Sequence, residues 1–155
     1  ELYGDAYKML TAFTYIFPGM PLLYTGQEYD LNKRLLFFEK DNFIKKTGQT
    51  MRFLQKLGKL KNTNDALSAG AGRAAYQSLT GLVNMNYGKE NQIFAFKRTS
   101  LKNEVILIAN MSKNYAQFTM NFNGRFKNFS DGKFKKLSDS YEYVMKPWEY
   151  WILLN

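Results

Sequence analysis

The 155-residue chain contains no cysteine and no histidine. Without cysteine there are no disulfides and no thiol chemistry. Without histidine, Ser-His-Asp triads, His-ligated zinc and imidazole acid–base catalysis are excluded. Any catalysis would fall to carboxylates, lysine, tyrosine or backbone groups. No apolar run approaches the roughly 20 residues that a membrane-spanning helix needs, so no membrane partner is expected. Gly70-Ala71-Gly72 lacks a preceding strand and a following lysine, and so reads as a flexible connector rather than a phosphate loop. No carboxylate cluster has metal-loop spacing, so neither metal nor cofactor is expected. The chain opens Glu1-Leu2-Tyr3, without methionine and without a basic-then-apolar leader, which reads as an internal cut. Lack of cysteine suits a reducing compartment and an exported bacterial-type protein equally, so localisation stays open.

What is present is aromatic and basic. Phe, Trp and Tyr make up 17% of the residues, enough for a dense core with rings to spare for a sugar-binding surface. Lys and Arg number 22 against 13 Asp and Glu, a formal charge of +9. Such a balance raises the question of a polyanion partner. The lysines are scattered, however. The densest groups, Lys45-Lys46 and Lys133 with Lys135-Lys136, are short and interrupted. A solvated surface is the plainer reading, and no nucleic acid is expected as a partner.

The spacing predicts a helix over 5–17, with Asp5 as N-cap, Ala6, Met9, Leu10, Phe13 and Phe17 on one side, and Pro18-Gly19 as terminator. Met20 to Tyr24 is a short apolar run without polar alternation, the pattern of a strand buried on both faces. Residues 29–44 read as a loop, with a short strand or turn near Leu35-Leu36-Phe37-Phe38. A second helix is expected over 47–60, capped by Thr47 or Thr50, with Phe53, Leu54, Leu57 and Leu60 as its apolar stripe. After a polar connector the pattern turns to β. Ile93 to Arg98 and Glu104 to Met111 read as strands, the second apolar on both faces and central. Gln117 to Phe122 alternates, and Asn123-Gly124 signals a hairpin into Arg125 to Phe129. Asp131-Gly132 signals another turn. Tyr141 to Met145 and Trp148 to Leu154 close the chain. The fold class is thus α+β: two helices and a short buried strand, then an antiparallel β-sandwich.

Phe17-Pro18-Gly19-Met20-Pro21-Leu22-Leu23-Tyr24-Thr25-Gly26-Gln27-Glu28 resembles the eighth barrel strand of the α-amylase family of glycoside hydrolases, with Gly19, Pro21, Tyr24, Gly26 and Glu28 at the motif positions. Thr50 to Leu57 resembles the family's final barrel helix. Ile93 to Arg98 with Val105 to Ser112, Phe129 to Gly132 and Met145 to Leu153 resemble strands and turns of its C-terminal β domain. The resemblance implies three parts: the end of a (β/α)8 barrel over 1–60, a connector over 61–73 and a C-terminal β domain over 74–155. It implies a parent that cleaves α-glucans by double displacement. Its catalytic carboxylates would lie on earlier strands, so this chain alone would be inactive. The rest of the barrel and an α-glucan are then the expected partners. An unsatisfied strand edge would favour self-association, loss of order before residue 45, or repacking of both helices onto the β domain.

Several residues remain candidates. A retaining glycosidase needs two carboxyl groups about 5 to 5.5 Å apart. Glu28 and Asp30 are two positions apart, but nothing adjacent supplies a second supporting strand. Glu28 and Gln27 read first as loop anchors and second as liners of the parent's substrate cleft, because barrel active sites lie beyond the strand C-termini. Tyr24 reads as core. Trp148, Tyr150 and Trp151 are the candidates for sugar stacking. Alternation puts the first two on one face and Trp151 on the other, and at least one face must be core. A glucan-binding β module without catalysis is the alternative function. Lys97 and Arg98 are expected at the exposed end of their strand.

Overall fold

The computed structural model describes residues 4–67, 74–79, 83–85 and 92–155. Among the described residues are two α-helices, α1 (Tyr7–Ile16) and α2 (Gln49–Thr63), followed by nine strands. The strands are β1 (Ala75–Ser78), β2 (Val83–Met85), β3 (Ile93–Thr99), β4 (Glu104–Asn110), β5 (Ala116–Met120), β6 (Gly124–Asn128), β7 (Phe134–Leu137), β8 (Tyr143–Met145) and β9 (Tyr150–Leu154). A six-stranded sheet runs β1-β3-β4-β9-β6-β7, and a three-stranded sheet runs β2-β5-β8. Every pairing is antiparallel.

The period-2 alternation of the strands divides the core in two. Ile93, Ala95, Ile106, Ile108 and Leu153 face the small sheet and pack with Phe118, Met120, Tyr143 and Met145. Phe96, Val105, Leu107 and Ile152 face the other way and pack with Ala12, Tyr15, Ile16, Leu54, Leu57 and Leu60 of the helices. The large sheet is therefore a middle layer. β4 is buried from Val105 to Asn110, which accounts for its unbroken apolar run. Rings fasten the helical layer to the sheet. Phe13 and Phe17 stack at 5.0 Å, and Phe17 meets Phe96 edge-on at 5.5 Å and Tyr76 at 5.6 Å. Such aromatic pairs add about 0.5–1.5 kcal/mol beyond their area burial.

Local departures from the sequence reading have physical causes. α1 is entered through a 3-10 turn at Gly4–Ala6, and Ala6, not Asp5, is its N-cap, with no side-chain cap. Gly48 is the N-cap of α2, again without a side-chain cap, and Thr50 instead donates its hydroxyl to Asp30. Thr47 also has no capping role. α2 runs on to Thr63, three residues into the expected connector. Residues 68–73, including Gly70-Ala71-Gly72, lie outside the described residues. Met20 to Tyr24 forms no strand: Met20 is 85%, Leu22 89% and Tyr24 66% exposed. A strand needs hydrogen-bonding neighbours, and no described segment pairs with this one. Leu35 to Phe38 is likewise not a strand, and Phe37 and Phe38 are exposed.

Asn123-Gly124 is not a hairpin. β5 and β6 belong to different sheets, so the dipeptide is a crossover. Its glycine answers a packing need: a Cβ on Gly124 would sit 2.3 Å from the Phe126 ring. Asp131-Gly132 does turn β6 into β7, with Gly132 at φ +70° and its N–H donating to the Asn128 carbonyl at 2.8 Å. β9 starts at Tyr150 and β8 at Tyr143, each two residues later than the pattern suggests.

Two glycine substitutions should act in opposite directions. Gly124→Ala forces the Phe126 ring out of its place and should cost about 1–3 kcal/mol. Gly58 lies inside α2 with its nearest Cβ contact 3.9 Å away, so Gly58→Ala should stabilise by about 0.5–1 kcal/mol. Urea unfolding of both variants checks the pair of signs.

Candidate functional site

The segment between the helices folds around one glycine. Gly26 adopts φ +93°, and a Cβ there would lie 2.6 Å from Leu31 Cδ2. The chain then makes a 3-10 turn over Gln27–Tyr29, and Asp30 follows at φ +55°. Side chains close the turn from within. The Glu28 carboxylate accepts the Gly26 N–H at 3.0 Å, and the Gln27 amide oxygen accepts the Tyr24 N–H at 3.2 Å. Asp30 accepts the Thr50 hydroxyl and so ties the turn to the first residues of α2. Glu28 and Asp30 are thus each engaged by neighbouring donors. Gly19, at φ +115°, reverses the chain after α1, and Pro21 is half-buried. Tyr24 is exposed rather than core, because among the described residues no strand pairs with its segment.

Beside this turn is a shallow concavity of about 360 Å³, lined by Tyr15, Leu23, Thr25, Glu28, Met51, Leu54 and Gln55. One carboxylate and one amide sit among apolar groups there. The surface suits an apolar chain segment, and it holds no second acid for a glycosidase pair. Among the described residues, no group of three or more Asp and Glu is placed to hold a metal ion. Among them, too, no helix is long and apolar enough to cross a membrane.

Behind the concavity two cations meet the C-terminal end of α1. Lys61 Nζ donates to the Tyr15 carbonyl at 3.0 Å and to the Leu67 carbonyl at 3.3 Å. Arg98 donates to the Ile16 carbonyl at 3.4 Å. Both side chains are buried. Burial pushes the Lys61 ammonium below the usual lysine range, and the neighbouring Arg98 charge adds to the effect. Burial also lowers the Arg98 guanidinium. Both are stabilised by carbonyls that the helix leaves unpaired and by the negative end of its dipole. Arg98 is therefore not at an exposed strand end. It shares a face of β3 with Phe94 and Phe96, a parity visible in the spacing. Lys61, four residues after Leu57, likewise falls on the apolar stripe of α2, and that position was the available signal.

The closing aromatics serve packing. Trp151 is buried between Phe118 and Tyr143, with ring centroids at 6.1 and 5.9 Å. Its indole N–H donates to Glu149 at 2.9 Å, and Lys135 Nζ lies 3.8 Å over the ring. Tyr150 packs against the helical layer, and burial pushes its phenol up to about 12. Trp148 lies before β9 in the left-handed region, φ +58°, half-buried. It is thus not the alternation partner of Tyr150. The strand brings none of the three together as an open stacking platform.

A neutral phenol is favoured by this fold, so the sign for stability is fixed. The unfolded chain loses the Tyr150 proton near pH 10, while the folded chain keeps it to about 12. Stability is therefore fully expressed below pH 10 and declines across pH 10–12, by about 1–2 kcal/mol after discounting for the partly exposed ring. Ultraviolet titration should show a late-ionising tyrosine that Tyr150→Phe removes.

No protein-family model matches the sequence, and no curated protein matches it. Solved structures do match it in fold. A maltogenic α-amylase from Thermotoga neapolitana superposes with a TM-score of 0.75 at 15% identity, over 98% of this chain and 36% of its own. An Anoxybacillus α-amylase gives 0.62 at 21% identity, over 95% of this chain and 31% of its own. A Geobacillus thermoleovorans α-amylase complexed with acarbose gives 0.63 at 19% identity, over 95% and 32%. The chain spans about a third of the length of these relatives. It has the fold of about one third of an α-amylase chain.

Proposed function

We propose that the chain is the C-terminal portion of an α-amylase-like glycosidase acting on α-glucans. In this reading residues 1–60 complete a (β/α)8 barrel, 61–73 connect, and 74–155 form a β domain that covers apolar barrel surface. The observation that carries the reading is the fold match over nearly the whole chain to α-amylases, joined to the exposed apolar run Met20–Tyr24. That run stands where the resemblance puts the eighth barrel strand. A strand of this kind is buried when neighbours pair with it on both sides. The adjoining concavity, with Leu23, Met51 and Leu54 in its wall, would be filled by the same neighbours. Gln27 and Glu28 would then stand beyond the C-terminal end of the strand, where barrel substrates bind. Their bonds to Tyr24 and Gly26 N–H groups would hold the rim of that cleft in shape.

The catalytic acid pair would come from preceding strands. The chain alone should show no cleavage of maltooligosaccharide, and the polypeptide extended by the upstream coding sequence should cleave it with retention of anomeric configuration. Stoichiometric turnover by the 155-residue chain, or an extended polypeptide that leaves α-glucans intact, would overturn the proposal.

A further inference from the structure

The β6–β7 hairpin carries a charged surface that the amylase reading does not use. Its register sets Arg125 opposite Lys136 and Lys127 opposite Phe134. The alternate residues Phe126 and Leu137 enter the core between the sheets, and Lys135 lies over Trp151. Arg125, Lys127, Phe134 and Lys136 therefore share the opposite face of the ribbon, and all four are exposed. Arg125 covers part of the Phe134 ring at 4.4 Å, yet that ring remains 64% exposed. Among the described residues none of the three cations has a carboxylate within 4.0 Å; the ion pairs there are Lys33–Asp41 and Lys97–Glu104.

Like charges placed directly across a strand pair destabilise it. Lysines on an edge strand also discourage pairing with other chains, and β7 is such an edge. That use does not extend to Arg125 and Lys127, which lie on β6 between β9 and β7. Among the described residues, three cations without a carboxylate partner thus share a face with an open aromatic ring. The cations suit phosphate oxygens. The ring suits the apolar C–H face of a pyranose.

We infer that this face binds an α-glucan chain bearing phosphate monoesters, with Phe134 against a sugar ring and Arg125, Lys127 and Lys136 around the phosphate. The inference rests on the glucan reading above for the polymer and on the hairpin geometry for the phosphate.

The test is co-sedimentation of the purified chain with starch granules rich in phosphate monoesters, and with the same granules after phosphatase treatment. Binding should fall about tenfold on dephosphorylation, and about tenfold again between 50 and 200 mM salt if roughly two phosphate charges are neutralised. Lys127→Ser with Lys136→Ser should abolish the preference, while Phe134→Ser should weaken binding to both granule forms; the substituted residues are exposed and removing Lys136 relieves its repulsion with Arg125, so the thermal transition of the lysine variant should not fall. Equal binding to both granule forms overturns this inference and leaves the glucan reading standing. Binding to neither overturns it as well, and the assay of the extended polypeptide then decides the glucan reading independently. Retention on single-stranded DNA or anionic vesicles that the same substitutions remove, without retention on phosphorylated granules, assigns the face to another polymer and overturns it.

Discussion

The structure depends on β4 being apolar on both faces. Val105 and Leu107 point toward the helices, while Ile106 and Ile108 point toward the small sheet. Such a strand is stable only as the middle of three layers, so the helical pair and the small sheet are both obligatory covers. Its neighbours obey the same rule. β3 and β9 flank it in the ladder, with Phe96 and Ile152 on the helical side and Ala95 and Leu153 on the other. Removing either cover would return a continuous apolar face to water.

The junction between helices and sheet is also where charge is placed. α1 ends against the sheet, with its last residues buried. Lys61 from α2 and Arg98 from β3 supply the donors. Each cation joins two elements, so the link fixes the helix end relative to both its helical neighbour and the sheet. Carbonyls and the helix dipole offset part of the cost of burying two like charges. An apolar pair there would leave carbonyls unsatisfied.

Much of this was legible in the sequence. Both helices, the central position of Glu104 to Asn110 and the Asp131-Gly132 turn follow from periodicity and turn chemistry. The order of motifs pointed to the amylase fold. What failed did so where local pattern and tertiary context diverge. Asn123-Gly124 carries a hairpin signature, but Gly124 is set by the Phe126 ring and the chain changes sheets there. Met20 to Tyr24 has the composition of a buried strand, and composition does not supply the neighbours such a strand requires. Arg98 was misplaced because its charge was weighed above its parity with Phe96. Gln27 and Glu28 were readable as loop anchors, while the donors they accept from and the Asp30–Thr50 link depend on side-chain directions that spacing does not encode.

The central claim is that the chain is held by its middle sheet while the apolar run at 20–24 stands unpaired. Amide hydrogen exchange resolved by residue tests it most directly. The account predicts strong protection of β3, β4 and β9, with exchange near the intrinsic rate for the amides of Met20, Leu22 and Leu23. Protection of those three amides at the level of β4, in a monodisperse monomer, would contradict it.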